Sequence, residues 1–191
     1  MTENELIERI KHGNRDAFTE LMERYQTQVF NIAYGMLSDY EDASDATQEV
    51  FIKIYKSIAS FKGQSAFTTW VYAICRNVCN DILRKRKKHS MNISLYGDDE
   101  DEGAPIRNMK SDTPTPEETV EADERQKLVR DAIASLKPEY REVIVYSDMQ
   151  QLSYEEIATI LKCPVGTVRS RLNRARTALR KILAEKRELF L

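Results

Sequence analysis

An all-α protein is predicted, built as two small helical domains joined by a flexible acidic linker, with a helix-turn-helix in the C-terminal one. Three observations lead there. Apolar residues recur at steps of three and four over most of the 191 residues. Only six glycines and five prolines are present, beside 41% hydrophobic and 31% charged residues, a mix that suits helices with compact cores. The periodicity then lapses between His89 and about Glu124, where residues 98–124 carry eleven acids against Arg107 and Lys110. The boundaries expected are 1–90, 91–120 and 121–191.

Thr2 to Lys11 reads as a short helix, with Thr2 and Glu5 at capping-box spacing and Leu6, Ile7 and Ile10 as its apolar stripe. His12-Gly13-Asn14 breaks it. Asn14 or Asp16 then caps a long helix to about Ser38, whose core face is Phe18, Leu21, Met22, Tyr25, Val29, Ile32, Ala33, Met36 and Leu37. A third helix is expected from about Tyr40 to Ser60, burying Ala43, Ala46, Val50, Phe51, Ile54, Ile58 and Phe61. Asp45, Gln48, Glu49 and Lys53 fall on its exposed side.

Phe61 to Ser65 reads as a loop, with Ser65 capping a fourth helix from about Ala66 to Lys88. That helix is aromatic first (Phe67, Trp70, Tyr72), then polar and basic (Arg76, Asn77, Asn80, Asp81, and residues 84–88). Rings beside a basic face suit single-stranded DNA, because bases stack on rings while cations meet phosphates. Trp70, Ile74, Val78 and Ile82 also follow core spacing, so packing and stacking are both open for Trp70. The basic run 84–88 suits a solvated helix end as well, where cations complement the helix dipole.

Beyond the linker, a helix is expected from Pro116 to Leu136, with Val120, Leu128, Val129, Ala132 and Ile133 inward. Pro138 suits the first turn of the next helix, which Tyr140, Val143, Ile144 and Tyr146 anchor. The stretch 152–183 divides into a short helix, a tight turn and a long basic helix. Ser153 and Glu156 form a capping box, and Ile157, Ala158, Ile160 and Leu161 are apolar. Lys162 to Val165 is the turn, because Pro164 cannot continue a helix. Thr167 is the N-cap expected for the second helix, where Val168, Leu172, Ala175, Leu179 and Leu183 face a core. Arg169, Arg171, Arg174 and Arg176 fall largely elsewhere. This layout suits a helix entering a DNA major groove, where arginine binds guanine O6 and N7. A solvated basic face on an ordinary bundle helix is the plain alternative.

Other classes lose ground. No stretch approaches the ~20 apolar residues of a membrane span, and the acidic start lacks a signal peptide's apolar run, so a cytoplasmic protein without direct membrane insertion is expected. The three cysteines offer no disulfide framework. Cys75 and Cys79, one helical turn apart, read as small core residues rather than metal ligands. No metal or cofactor is expected. An enzyme would need a base or metal constellation, and the two histidines, His12 and His89, have no matching one. A lone DNA-binding regulator would use residues 152–183 and leave the other two surfaces without a task.

Three segments carry a resemblance to bacterial sigma factors of the extracytoplasmic-function (ECF) group. Asp45-Ala46-Thr47-Gln48-Glu49-Val50-Phe51 resembles the family's polymerase-binding segment. Ser65-Ala66-Phe67-Thr68-Thr69-Trp70-Val71-Tyr72, with Arg76-Asn77, resembles its promoter-melting and −10-reading segment. Cys163 to Arg171, reading CPVGTVRSR, resembles its −35-reading helix. The resemblance implies a non-catalytic initiation factor that recruits core RNA polymerase to a subset of promoters, often in a stress response. It implies contact between Asp45, Gln48 and Glu49 and the clamp helices of the largest subunit, and between the C-terminal domain and the polymerase flap. It further implies −10 contacts from Phe61, Lys62, Ser65, Phe67, Trp70, Arg76, Asn77, Arg84 and Lys85. For the −35 element it implies Thr167, Arg169, Ser170, Arg171, Asn173, Arg174 and Arg176. An anti-sigma factor is the further partner implied. Asn173 stands where some relatives carry an aromatic, so promoter preference is expected to differ from theirs.

Overall fold

The computed structural model describes the backbone of residues 1–94 and 118–188, and the side chains of residues 1–89 and 126–185. Among these residues the fold is all-α. Four helices form an N-terminal unit: α1 (Glu3–Lys11), α2 (Arg15–Leu37), α3 (Tyr40–Ser57) and α4 (Phe67–Ser94). Four more form a C-terminal unit: α5 (Glu118–Ala134), α6 (Pro138–Ile144), α7 (Tyr154–Leu161) and α8 (Val165–Glu188). The acidic segment expected at 91–120 falls mostly outside the described residues. At its edges 91–94 and 118–120 are helical, so α4 runs beyond the Lys88 end that periodicity indicated, while α5 is helical where a helix from Pro116 was expected.

Side-chain caps explain where four of the eight described helices begin. Thr2 accepts the Glu5 N–H at 3.3 Å while Glu5 accepts the Thr2 N–H at 2.9 Å. Asn14, rather than Asp16, caps α2 by accepting the Ala17 N–H at 2.9 Å. Asp39 does the same for α3. Ser153 and Glu156 close the expected capping box on α7. Ser153→Ala is therefore expected to cost ~1 kcal/mol of stability, because the Glu156 N–H loses its acceptor. The shift of a urea midpoint measures it.

Two expected caps are elsewhere. Ser65 donates to the Ala66 carbonyl at 3.3 Å, and α4 starts only at Phe67. Thr167 lies inside α8, whose first bonds run from the Thr167 and Val168 N–H groups to the Pro164 carbonyl. Pro164 thus stands immediately before the helix, as expected, and its carbonyl accepts the first bonds; only Val165, expected in the turn, is already helical. The N–H that Pro164 lacks costs nothing there, since no helical partner exists for it. The turn between α7 and α8 reverses at Lys162, which adopts the left-handed conformation (φ 52°, ψ 49°). That conformation disfavours a side chain by ~1–2 kcal/mol, which is why glycine is common in such turns.

The expected stripes form the cores. In the N-terminal unit α2 packs on α1, α3 and α4, burying Leu21, Val29, Ile32, Ala33 and Met36 against Val50, Ile54, Val71 and Cys75. In the C-terminal unit α8 packs on α5, α6 and α7, burying Val168, Leu172 and Ala175 against Ile157, Ile160 and Val143. Val129 was expected inward but is 41% exposed. Ala132 and Ile133 are buried as expected, and Leu136, just past the helix end, is buried with them.

The two units also pack against each other. Helix α4 lies on α7, and α2 touches α5, α6 and the π-helical turn Val145–Met149 that continues α6. Residues 142–146 are all buried. A helix facing one core exposes part of every turn, so five successive buried residues require neighbours on both sides. The wide π turn, with Gln150 N–H bonded to the Val145 carbonyl, lets Val145 and Tyr146 both turn inward.

Candidate promoter and polymerase surfaces

The long basic helix separates its residues cleanly. Val168, Leu172 and Ala175 lock α8 onto its own domain. Arg169, Ser170, Asn173, Arg174 and Arg176 are exposed on the other side, and Thr167 and Arg171 are half-exposed between them. The Ser170 hydroxyl donates to the Thr167 carbonyl, leaving its oxygen free to accept. Arg169, Arg171 and Arg174 form no ion pair with a described side chain, so their guanidinium forks are available. Arg176 is committed otherwise: it donates to both carboxylate oxygens of Asp148, at 2.6 and 3.2 Å. Those bonds raise its pKa above the usual arginine value. Its role is to tie α8 to the π turn, and the Asp148 partner has no signal in local spacing.

On α3, Asp45, Gln48 and Glu49 are exposed as expected. Ile52 and Tyr55, 47% and 46% exposed, continue the same side of the helix. The sequence pattern contained both and neither was singled out, because an isolated exposed apolar residue is ordinary. Next to this face runs a groove of about 580 Å³ between α3 and α4. Asp45 and Glu49 line one wall, Arg84, Lys85 and Lys88 the other, and Val78 and Ile82 form its floor. Arg84 also pairs with Asp81 at 3.0 Å. Two residues expected at DNA thus border the surface expected at polymerase.

The loop 61–66 and the first turn of α4 form an aromatic knot. Phe67 is only 2% exposed. Its ring meets Phe61, Trp70 and Tyr25 at centroid distances of 5.2, 5.5 and 5.7 Å. Phe67 is therefore a support for its neighbours and not a surface for a base. Trp70 is half-buried against Phe61 at 5.3 Å, so part of the ring packs and part remains open. Tyr25 donates to the Glu3 carboxylate and shares a 3.2 Å hydrogen bond with Thr68, which ties α1 and α2 to the start of α4. Burial, with the Glu3 bond second, holds the Tyr25 phenol well above its usual pKa, so it stays a donor. Lys62 and Asn77 are exposed, and Ser65 is half-exposed.

Arg76 is the largest departure. It donates to both oxygens of Glu142 in α6, Nε at 3.0 Å and Nη2 at 3.3 Å. Asn80 adds a third bond to the same carboxylate at 3.1 Å. Cys75 and Cys79 are fully buried behind this contact. The Cys79 hydrogen bond and burial push the Cys75 thiol well up, which keeps it protonated.

The Sigma-70 region 2 model matches residues 21–89, and the Sigma-70 region 4 model matches residues 126–179. The ECF RNA polymerase sigma-E factor of Haemophilus influenzae is 39% identical over 179 residues, covering 92% of each chain. The chain belongs to the ECF family of RNA polymerase sigma factors. It is also 37% identical to the ECF sigma factor SigW of Bacillus subtilis, over 94% of this chain and 95% of that one. The sigma-H factor of Pseudomonas aeruginosa is 35% identical over 95% and 93%. Among solved structures, CnrH in complex with the cytosolic domain of CnrY superposes with a TM-score of 0.69 at 22% identity, covering 94% of this chain and 96% of that one. The sigma factor RpoE of Bartonella quintana, in complex with the anti-sigma factor NepR, gives 0.67 at 23%, over 87% and 96%. These two likenesses are of fold. As a sigma factor, the protein binds core RNA polymerase, directs it to specific promoters and helps to open the DNA. Among the described residues no helix is long and apolar enough to cross a membrane.

Proposed function

We propose a division of labour for this sigma factor by surface. Asp45, Gln48 and Glu49, with Ile52 and Tyr55 beside them, dock on the clamp helices of the polymerase's largest subunit. Carboxylates that meet arginines there form charge-assisted bonds, and the two apolar side chains supply area that water would otherwise cover. Loop 61–66 and α4 hold the −10 strand, with Trp70 stacking and Lys62, Ser65, Arg76, Asn77, Arg84 and Lys85 meeting polar and phosphate groups. Phe67 acts from below by holding Phe61 and Trp70. Extruding a base costs a few kcal/mol, which a rigid aromatic frame helps to offset.

The exposed half of α8 reads the −35 element, with the C-terminal domain seated on the polymerase flap. Thr167, Arg169, Ser170, Arg171, Asn173 and Arg174 reach the DNA, while Arg176 holds the helix to Asp148. The observation that carries this reading is the clean split of α8 into a buried apolar stripe and a free arginine face. The work is done in the cytoplasm, without catalysis by this chain. An anti-sigma factor is proposed as its regulator, supported by the complexes in which CnrH and RpoE were solved.

Run-off transcription with purified core polymerase tests the whole reading. Transcripts from a subset of promoters should depend on the added protein. Transcription that is the same with and without it overturns the proposal.

A further inference from the structure

Helix α1 carries none of the residues assigned above to polymerase or DNA, yet it reaches both ends of the loop proposed to hold the −10 base. Before the loop, α1 packs on the 3-10 turn Ile58–Ser60, where Ile58 is buried, and Leu6, Ile7 and Ile10 form the buried stripe of α1 itself. After the loop, Glu3 in the first turn of α1 accepts the Tyr25 hydroxyl, and the same phenol oxygen lies 3.2 Å from Thr68 Oγ1 in the first turn of α4. Residues 61–66 are all that separate the two anchors.

Proton counting orders these bonds. A phenol has one hydrogen and a carboxylate only accepts. The Tyr25 hydrogen goes to Glu3, so Thr68 is the donor in the second bond. The chain runs from Thr68 to Tyr25 to Glu3, and each bond polarises the next. Its two ends are fixed differently. Glu3 directly follows Thr2, and the Thr2–Glu5 capping box holds that turn in place. At the other end the Ser65 hydroxyl donates to the Ala66 carbonyl instead of capping α4. The bond from Thr68 is therefore a tertiary tie on a turn without the side-chain cap expected for it.

The Tyr25 ring acts on the same frame. It meets Phe67 edge-on at 5.7 Å, and Phe67 bears on Phe61 and Trp70. Phe61 and Trp70 are both half-buried, so they are the rings left to face a base. A buried phenol needs a hydrogen-bond partner, but any neighbour would serve. Partners drawn from the two helices that bracket one loop are more than that need requires.

We propose that Tyr25 is a positioning residue for −10 recognition: with Glu3 and Thr68 it fixes the first turn of α4 against α1, so that loop 61–66 is held at both ends in the shape that receives an extruded base. This rests on the reading of that loop as the base-holding element. A snug pocket offsets the cost of extrusion. A loop with one end released offers a poorer pocket, and the loss falls on the step in which the base enters.

The test uses holoenzyme assembled from core polymerase and the full chain. The probe is a fluorescein-labelled non-template-strand oligonucleotide with the −10 element of a promoter that answers in run-off transcription. Each −10 base is removed in turn to leave an abasic sugar, and binding is read by anisotropy. With the natural protein, one position should show a large loss when its base is absent, which marks the extruded base. Tyr25→Phe keeps the ring and removes only the hydroxyl. It should bind the intact oligonucleotide about three- to tenfold more weakly, the range for one hydrogen bond. On the oligonucleotide abasic at the marked position it should equal the natural protein. Glu3→Ala should behave alike, and Glu3→Gln, whose amide oxygen still accepts from Tyr25, should recover part of the loss. A domain that is merely loosened loses affinity for both oligonucleotides. An equal loss on intact and abasic DNA therefore overturns the proposal, and so does unchanged affinity for the intact one. Circular dichroism reports folding, and if Tyr25→Phe loses helicity, the Glu3 variants carry the test. A natural protein indifferent to every abasic position would instead strike the reading of the loop, and the proposal with it.

Discussion

Glu49→Lys is expected to weaken binding to core polymerase by about 2–5 kcal/mol, or about 30-fold and more, the range for truncating or reversing a buried interfacial charge. The fold should hardly notice. Glu49 is exposed, and its pairing with Lys53 at 3.7 Å joins side chains that are themselves about half in water, so the pair contributes ~0–1 kcal/mol. The substitution places a cation between Asp45 and Gln48, on a face expected to meet arginines. Fluorescence polarisation with labelled protein and unlabelled core measures the loss, and a urea midpoint checks the fold. An affinity equal to that of the natural protein would remove α3 from the polymerase interface.

Leu172→Ala and Arg171→Ala, one residue apart, should fail in different ways. Leu172 is 2% exposed in the middle of the C-terminal core. Its truncation leaves a cavity between α8 and its neighbours, at an expected cost of ~2–5 kcal/mol of stability. Arg171 is half-exposed on the proposed DNA side, and losing it should change stability by within ~0.5 kcal/mol. It should cost ~1–3 kcal/mol of −35 recognition and relax base preference at one position of the element. Urea unfolding and footprinting of the assembled holoenzyme separate the two outcomes. Equal destabilisation by both substitutions would mean that α8 packs its arginine side, and the −35 assignment would fail.

Much of this sigma factor can be read without coordinates because the determinants are local. Thr2, Asn14, Asp39 and Ser153 bond to backbone N–H groups three residues on, so helix starts are written within a few positions. The stripes of α2, α3 and α8 follow the 3.6-residue period, which assigns each side chain to core or solvent before any partner is known. Thr167 and Ser65 show the limit of that reading. A residue of capping type was taken as the cap in each place, whereas the chain begins its helix at Val165 in one case and only at Phe67 in the other.

What no periodicity could supply is partnership between distant segments. Phe67 falls in an aromatic run that reads equally as stacking surface or core, and only the rings of Tyr25 and Phe61 settle that it is core. Arg76 reads as a free cation until Glu142, 66 residues away, is seen beside it. Gly35 reads as a mild flaw in a helix until Val145 is placed above it. Helix identity and facing come from interactions within a turn or two, so composition and spacing carry them. Which faces meet depends on the packing of whole units, where shape and charge are summed over residues far apart in the chain, and that information exists only once the chain has folded.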